Sequence, residues 1–212
     1  MKIVIFGANG PSGKILTQLA LQAGHQVSAV TRHPEAFSIR HEKLQVTRGD
    51  VLDAADVARA VDGQEVVLSL FGAQYSFKPI SVYSQGMKSI LAAMKASGID
   101  RLVCVTSGGT RPEYSPEEEG FLFGRIIKPL FGRTLYEDMR RMEALVMQSD
   151  RNWTIVRPAR LEDMPPDTPY RAVEGYMVPG MHKTSRTALA QFMLEQASSD
   201  RFLRKAVAVG TA

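Results

Sequence analysis

The sequence predicts an α/β fold, a single domain built on a doubly wound parallel sheet. Three observations predict it. Short β-branched runs alternate with longer helical patterns along the chain. The strand runs are continuously apolar rather than alternating, as expected of strands covered on both faces. A Gly-rich loop, "GANGPSGK" at 7–14, leaves the first apolar run and opens a helix. The 212 residues suffice for one domain with a sizeable core.

The elements follow in order. "KIVIF" (2–6) is the first strand, and a helix over about 11–23 follows, with Pro11 in its first turn and Gly24 at its end. Strands are expected at 26–30, 44–48, 65–70, 101–106 and 153–157. Helices are expected at about 53–60, 80–97 and 134–149, with Gly98 closing the second of these. Two stretches break the rhythm. Residues 108–133 form a long connection rich in Phe, Leu and Ile, read as a lid or wall over the site. Within it, Glu117–Glu119 read as a solvated turn. The Pro-rich stretch 162–180 reads as a substrate-side excursion with an extra strand near Tyr170–Val173. A helix over about 184–197 and the strand "AVAVG" finish the domain.

Composition narrows the function classes. Hydrophobic content of 44% and charged content of 23% are those of a soluble globule. The net charge of +4 comes without a Lys/Arg run, so no nucleic-acid partner is expected. The one cysteine, Cys104, excludes an internal disulfide and reads as a small buried hydrophobe. No stretch has the length of a membrane span, and the first strand begins at residue 2, leaving no room for a signal peptide. A cytoplasmic protein without membrane partner or metal is expected, as a monomer or weak dimer.

The Gly-rich loop raises the question of which phosphate it holds. Against the triphosphate loop G-x-x-x-x-G-K-[ST], the first glycine falls at Ala8 and the metal-binding hydroxyl at Ile15. What remains is G-x-x-G-x-x-G, a relative of the dinucleotide fingerprint. Gly7 lets the chain turn sharply off the strand. Gly10 has no side chain to block a pyrophosphate, and Gly13 lets the helix pack closely on the sheet. The helix N-terminus then faces the anion.

Strand ends supply the remaining candidates. After the second strand come Thr31 and Arg32, where an NAD enzyme commonly places a carboxylate. A guanidinium there suits a 2′-phosphate, so NADP(H) is the expected cofactor. Taken alone, Arg32 would be a surface arginine near a turn. Asp50 could accept from an adenine amino group with Val51 packed beside the ring; the alternative is a turn aspartate, and Asp53 competes for the helix cap. Gly72 lets backbone approach the cofactor after the fourth strand. The fifth ends "VTSGG", with the hydroxyls of Thr106 and Ser107 at the same edge. In "YEDMRRMEALV", Tyr136 and Arg140 share a helix face with Glu143 one turn further on. Leu135, Met139, Met142 and Val146 form the neighbouring apolar stripe, and the plainer reading of the polar three is a surface stripe.

Together, "GANGPSGK", "VTRHPE", "GDVLDAADV", "LAAMKASGIDRLVCVTS" and "WTIVRPARL" resemble atypical short-chain dehydrogenases of the NAD(P)H-binding, NmrA-like type. The flavin reductase/biliverdin reductase B group is the nearest match. The resemblance implies a Rossmann-like single domain and an NADPH-dependent reductase. It implies that Gly7, Asn9, Gly10, Pro11, Ser12 and Gly13 meet the pyrophosphate side, Arg32 the 2′-phosphate, and Asp50 and Val51 the adenine. Phe71 and Gly72 would lie along the cofactor. Ser107, with Thr106 as second choice, would stand at the nicotinamide as the polarising hydroxyl. Pro158, Ala159, Arg160 and Leu161 would line the nicotinamide pocket. Tyr136 takes the place of a proton-donating tyrosine, but Arg140 replaces the usual lysine of Tyr-x-x-x-Lys, as the reductase group also lacks a working pair. Arg160 stands where that group has an imidazole.

The implied reaction is hydride transfer to a small flavin-like, quinone-like or tetrapyrrole acceptor, with the proton drawn from solvent. Arg160, Arg133 and Tyr136 would face an anionic substrate group, and Arg125 and Lys128 add basic character to the lid. The alternative is an NmrA-like redox sensor that binds NADP(H) without turnover. An epimerase or dehydratase would need a stronger acid/base pair than these residues offer.

Overall fold

The first strand shows how the core is divided. In β1 (Lys2–Phe6), Ile3 and Ile5 enter one buried cluster, while Val4 and Phe6 enter another on the opposite face. This period-2 split is the reason the strand reads as continuously apolar. The computed structural model describes residues 1–74, 76, 78–113 and 132–212. The lid expected at 108–133, with Glu117–Glu119, Arg125 and Lys128, falls mainly on 114–131 and lies outside the described residues.

Helix α1 (Pro11–Gln22) follows β1, and β2 (Gln26–Thr31) and β3 (Leu44–Arg48) extend the sheet. Next come α2 (Ala54–Val61), β4 (Val66–Ser69), α3 (Val82–Ala96) and β5 (Arg101–Val105). Helix α4 (Arg133–Gln148) leads to β6 (Asn152–Pro158), β7 (Arg160–Glu162), β8 (Tyr170–Glu174) and β9 (Lys183–Ser185). Helix α5 (Arg186–Gln196) and β10 (Lys205–Thr211) close the chain.

Among the described residues the sheet runs β3-β2-β1-β4-β5-β6-β10-β9-β7, with β8 beside β10. The pairs from β3 to β6, and β6 with β10, are parallel; β8 and β9 run antiparallel to β10. Helices α1 and α5 cover one face through Leu16, Ala20, Leu189, Phe192 and Met193. Helices α2, α3 and α4 cover the other through Val57, Met87, Ile90, Met142 and Val146. This is the expected doubly wound α/β architecture, Rossmann-like in its parallel half. No helix among the described residues is long and apolar enough to cross a membrane.

Two short strands were not anticipated. β7 and β9 have three residues each, too few to show a period. The last helix was expected to start at about 184, but Thr184 and Ser185 belong to β9, and Ser185 then caps α5 at the backbone N–H of Ala188. The strand expected at Tyr170–Val173 is β8. Elsewhere boundaries move by one or two residues, the ordinary scatter of helix and strand ends.

Candidate functional site

The seven mutually parallel strands, β3-β2-β1-β4-β5-β6-β10, point their C-terminal ends to one edge. Strand β1 lies between β2 and β4, so the connections leave it in opposite directions and open a crevice there. The Gly-rich loop occupies that crevice. Gly7 has φ +86°, and a Cβ on it would stand 2.6 Å from the Phe71 nitrogen. A Cβ on Gly13 would stand 2.2 Å from the Gly7 carbonyl oxygen. These two glycines are needed by the fold itself.

Gly10 differs. Its missing Cβ would meet only the Gly7 carbonyl oxygen, at 3.4 Å. It is the N-cap of α1, with no side-chain cap, Pro11 in the first turn and no acidic residue there. The first backbone N–H groups of a helix in this state are free for an anion. Beside them the Asn9 Oδ1 is buried without a hydrogen-bond partner among the described residues. Ser12 is buried next to it. An uncapped helix start and open space at Gly10 fit the pyrophosphate end of a dinucleotide, while the orphaned Asn9 oxygen, an acceptor, suits a donor such as a ribose hydroxyl.

At the end of β2, Thr31 is buried and its Oγ1 accepts the backbone N–H of His33 at 3.2 Å. Arg32 is exposed and makes no hydrogen bond or ion pair with a described residue. After β3, one carboxylate oxygen of Asp50 accepts the backbone N–H of Leu52 at 3.0 Å, the turn role the sequence left open. Asp53 caps α2, accepting from Ala55 and Asp56 at 2.8 and 3.1 Å. Val51 and Phe71 meet over Gly86 of α3, where a Cβ would lie 2.0 Å from Val51 and 3.1 Å from Phe71. Tyr83 supports the same wall: its ring lies 6.0 Å from that of Phe71, and its hydroxyl accepts the Ala73 backbone N–H at 3.1 Å, just past Gly72.

Thr106 and Ser107 end β5. The Thr106 hydroxyl donates to Glu143 Oε1 at 2.6 Å. Ser107 Oγ accepts the Gly109 backbone N–H at 3.1 Å and opens a short 3₁₀ turn over Gly108–Thr110. Its hydroxyl is thus at the edge and in a loop cap at once. Gly108 packs on Met177 and the Tyr176 carbonyl, and Gly109 on the ring of Tyr136, each with a gap too small for a Cβ. Arg140 Nη1 donates to the Thr110 carbonyl at 3.4 Å.

The surface-stripe reading of α4 is corrected here. Tyr136 and Glu143 are each 5% exposed. They are buried because α4 packs against the 107–110 turn as well as against α3. Glu143 makes a two-pronged ion pair with Arg157 of β6, Nε to Oε1 at 3.0 Å and Nη2 to Oε2 at 2.7 Å. Arg157 also donates to the Gly175 carbonyl at 3.2 Å and lies 3.9 Å over the Tyr176 ring. Sequence reasoning missed Arg157 and Asp138, both buried. A signal existed: Asp138 sits three residues after Leu135 and four before Met142, a charge on the apolar stripe. Such a residue needs a buried partner.

Pro158 ends β6 buried, and Ala159 donates its backbone N–H to Thr184 Oγ1 at 2.9 Å. Arg160 and Leu161 lie on β7. Arg160 is exposed, with its Nε 3.4 Å from Glu162, and Arg133 lies 2.9 Å from Glu137 on its own helix. Both arginines expected to face an anionic group therefore have acidic neighbours. Cys104 is fully buried, and burial first, then the Glu143 charge, pushes its thiol far above the usual range. No His, Cys, Asp and Glu group placed for a metal occurs among the described residues.

Residues 7–200 match the family model described as NAD(P)H-binding. An uncharacterized chloroplastic protein of Arabidopsis thaliana is 28% identical over 179 residues, which covers 78% of this chain. The chain spans 61% of that relative's length. A short-chain dehydrogenase/reductase of Veillonella parvula, solved in complex with NADP, superimposes with a TM-score of 0.80 at 23% identity, covering 99% of this chain and 94% of that one. An anaerobillin reductase of Escherichia coli O157:H7 does so with a TM-score of 0.76 at 22% identity, covering 99% and 96%. At those identities the two structures speak for the fold. The family model covers most of the chain, glycine loop included, and the chain belongs to the NAD(P)H-binding family.

Proposed function

We propose that this chain is an NADPH-dependent reductase of a flavin-like, quinone-like or tetrapyrrole acceptor, an atypical member of the short-chain dehydrogenase/reductase class. The observation that carries the NADPH preference is Arg32, exposed and without an ion-pair partner among the described residues, at the end of the strand beside the glycine loop. A free guanidinium there recognises a 2′-phosphate by charge-assisted hydrogen bonds. Asn9, Gly10, Ser12 and the N–H groups of α1 would hold the pyrophosphate. Asp50 and Val51 would meet the adenine, and Phe71, Gly72 and Thr106 would line the cofactor's path. Ser107 would stand at the nicotinamide with Pro158, Ala159, Arg160 and Leu161 beyond. A bound NADPH supplies hydride, and the chain's contribution is orientation and exclusion of water.

The state of the candidate proton donors supports the acceptor class. Tyr136 is buried against Gly109, and Arg140 is directed at the Thr110 carbonyl. A substrate that accepts hydride readily and takes its proton from solvent suits such a site. The anaerobillin reductase among the structural neighbours is in keeping with a tetrapyrrole, although it speaks only by analogy. The same burial of Tyr136 favours the second reading, an NADP(H)-binding sensor without turnover.

The test is oxidation of NADPH by purified protein, offered FMN, a small quinone and a linear tetrapyrrole in turn, with NADH as the comparison. Turnover with NADPH and little with NADH supports the reductase. Tight NADPH binding with no turnover on any acceptor supports the sensor.

A further inference from the structure

One buried carboxylate oxygen brackets the turn that carries Ser107. Glu143 Oε1 accepts from the Thr106 hydroxyl at 2.6 Å and from the Thr110 hydroxyl at 3.2 Å. Between those threonines lie only Ser107, Gly108 and Gly109. The same oxygen accepts Arg157 Nε at 3.0 Å, so the third bond comes from β6. Within the turn, the Ser107 carbonyl accepts the Thr110 backbone N–H at 3.1 Å and, at 2.8 Å, shares the single Thr110 hydroxyl proton with Glu143 Oε1.

The consequence for Ser107 follows from hydrogen-bond capacity. A serine hydroxyl donates once and accepts through its lone pairs. Here Oγ accepts the Gly109 N–H, and among the described residues its proton meets no acceptor. The turn therefore presents Ser107 as a donor with its proton unspent. A buried ion pair is poor evidence for stability, because apolar residues of similar volume often serve as well or better. Its use here is to fix one arrangement: the end of β5, the end of β6, the Gly175 carbonyl and the Tyr176 ring all meet one Glu143–Arg157 unit.

We infer that Glu143 is a positioning residue, which fixes the Thr106–Thr110 turn so that the Ser107 hydroxyl is presented as a hydrogen-bond donor at the reacting edge. This inference rests on the reductase reading and on Ser107 as its edge hydroxyl.

The experiment replaces Thr106 and Thr110 together by valine, in the wild-type chain and in Ser107→Ala. It keeps the Glu143–Arg157 pair and removes only the bonds that hold the turn. Expected is a kcat for NADPH-driven reduction lower by about tenfold. In Ser107→Ala the valines should cause no further loss, because there is no hydroxyl left to place. An equal loss in both backgrounds overturns the inference, since a general structural role predicts it. Amide hydrogen exchange at Gly109 and Thr110 reads the turn without turnover. Faster exchange in the valine variant supports the clamp, and unchanged exchange overturns it, even if no acceptor is reduced and the reductase reading falls. Should the double variant fail to fold, Thr110→Val against Thr110→Ser makes the same comparison, with serine restoring the hydroxyl.

Discussion

The carboxylate of Asp138, midway along α4, accepts the backbone N–H of Tyr83 at 2.9 Å and so caps α3 from another helix. Ser84 adds its backbone N–H at 3.3 Å and its hydroxyl to the same carboxylate. Ser81, the α3 N-cap, has no side-chain cap bond of its own. Asp138 is fully buried, so the cap works without competition from water.

Asp138→Ala should therefore cost about 2 kcal/mol or more, because it leaves buried N–H groups unsatisfied. Asp138→Asn should cost less, since an amide oxygen still accepts. Urea unfolding of both variants checks the order; equal midpoints for wild type and Asp138→Ala would contradict it.

Two glycines of the same loop should behave differently. Gly13→Ala places a methyl 2.2 Å from the Gly7 carbonyl oxygen, and should destabilise the fold by about 1–3 kcal/mol. Gly10→Ala meets a neighbour only at 3.4 Å, and its stability should stay within about 1 kcal/mol of wild type. Its NADPH affinity should fall by at least about tenfold, because the methyl enters the pyrophosphate's space. Thermal unfolding and cofactor titration of each variant separate the two effects.

Alkaline stability should depend on Tyr170. Its hydroxyl donates to Glu195 at 2.8 Å, and burial, helped by that carboxylate, pushes the phenol well above its usual range. The folded state thus keeps a proton that the unfolded chain releases near pH 10. The contribution is complete below that pH and is lost progressively as pH rises beyond it, through the higher value of the folded state. Tyr170→Phe should show a shallower decline in unfolding free energy above about pH 10, while an unchanged slope would remove Tyr170 from the account.

The sheet and the glycine loop were legible because each signal is local. Strand runs such as "KIVIF" carry their burial in their own composition, and the loop's three glycines carry their spacing. The roles of Asp53 and Asp50 in turns were also foreseeable from short-range capping chemistry. Glu143 and Tyr136 were not, because their burial depends on where α4 meets the 107–110 turn. Arg157 looked like one more residue of "WTIVR", and only the packed fold brings it to Glu143. Asp138 pairs with residues 54 and 55 positions earlier, a distance that no local pattern reports.

On the proposed reading, the edge beside the glycine loop takes NADPH through Arg32. The direct measurement is the affinity of the wild-type chain and of Arg32→Glu for NADPH and for NADH, by calorimetric titration. Wild type should bind NADPH at least about tenfold tighter than NADH, and Arg32→Glu should abolish or reverse the preference. Equal affinity of wild type for both cofactors, or a preference unchanged by Arg32→Glu, would contradict it.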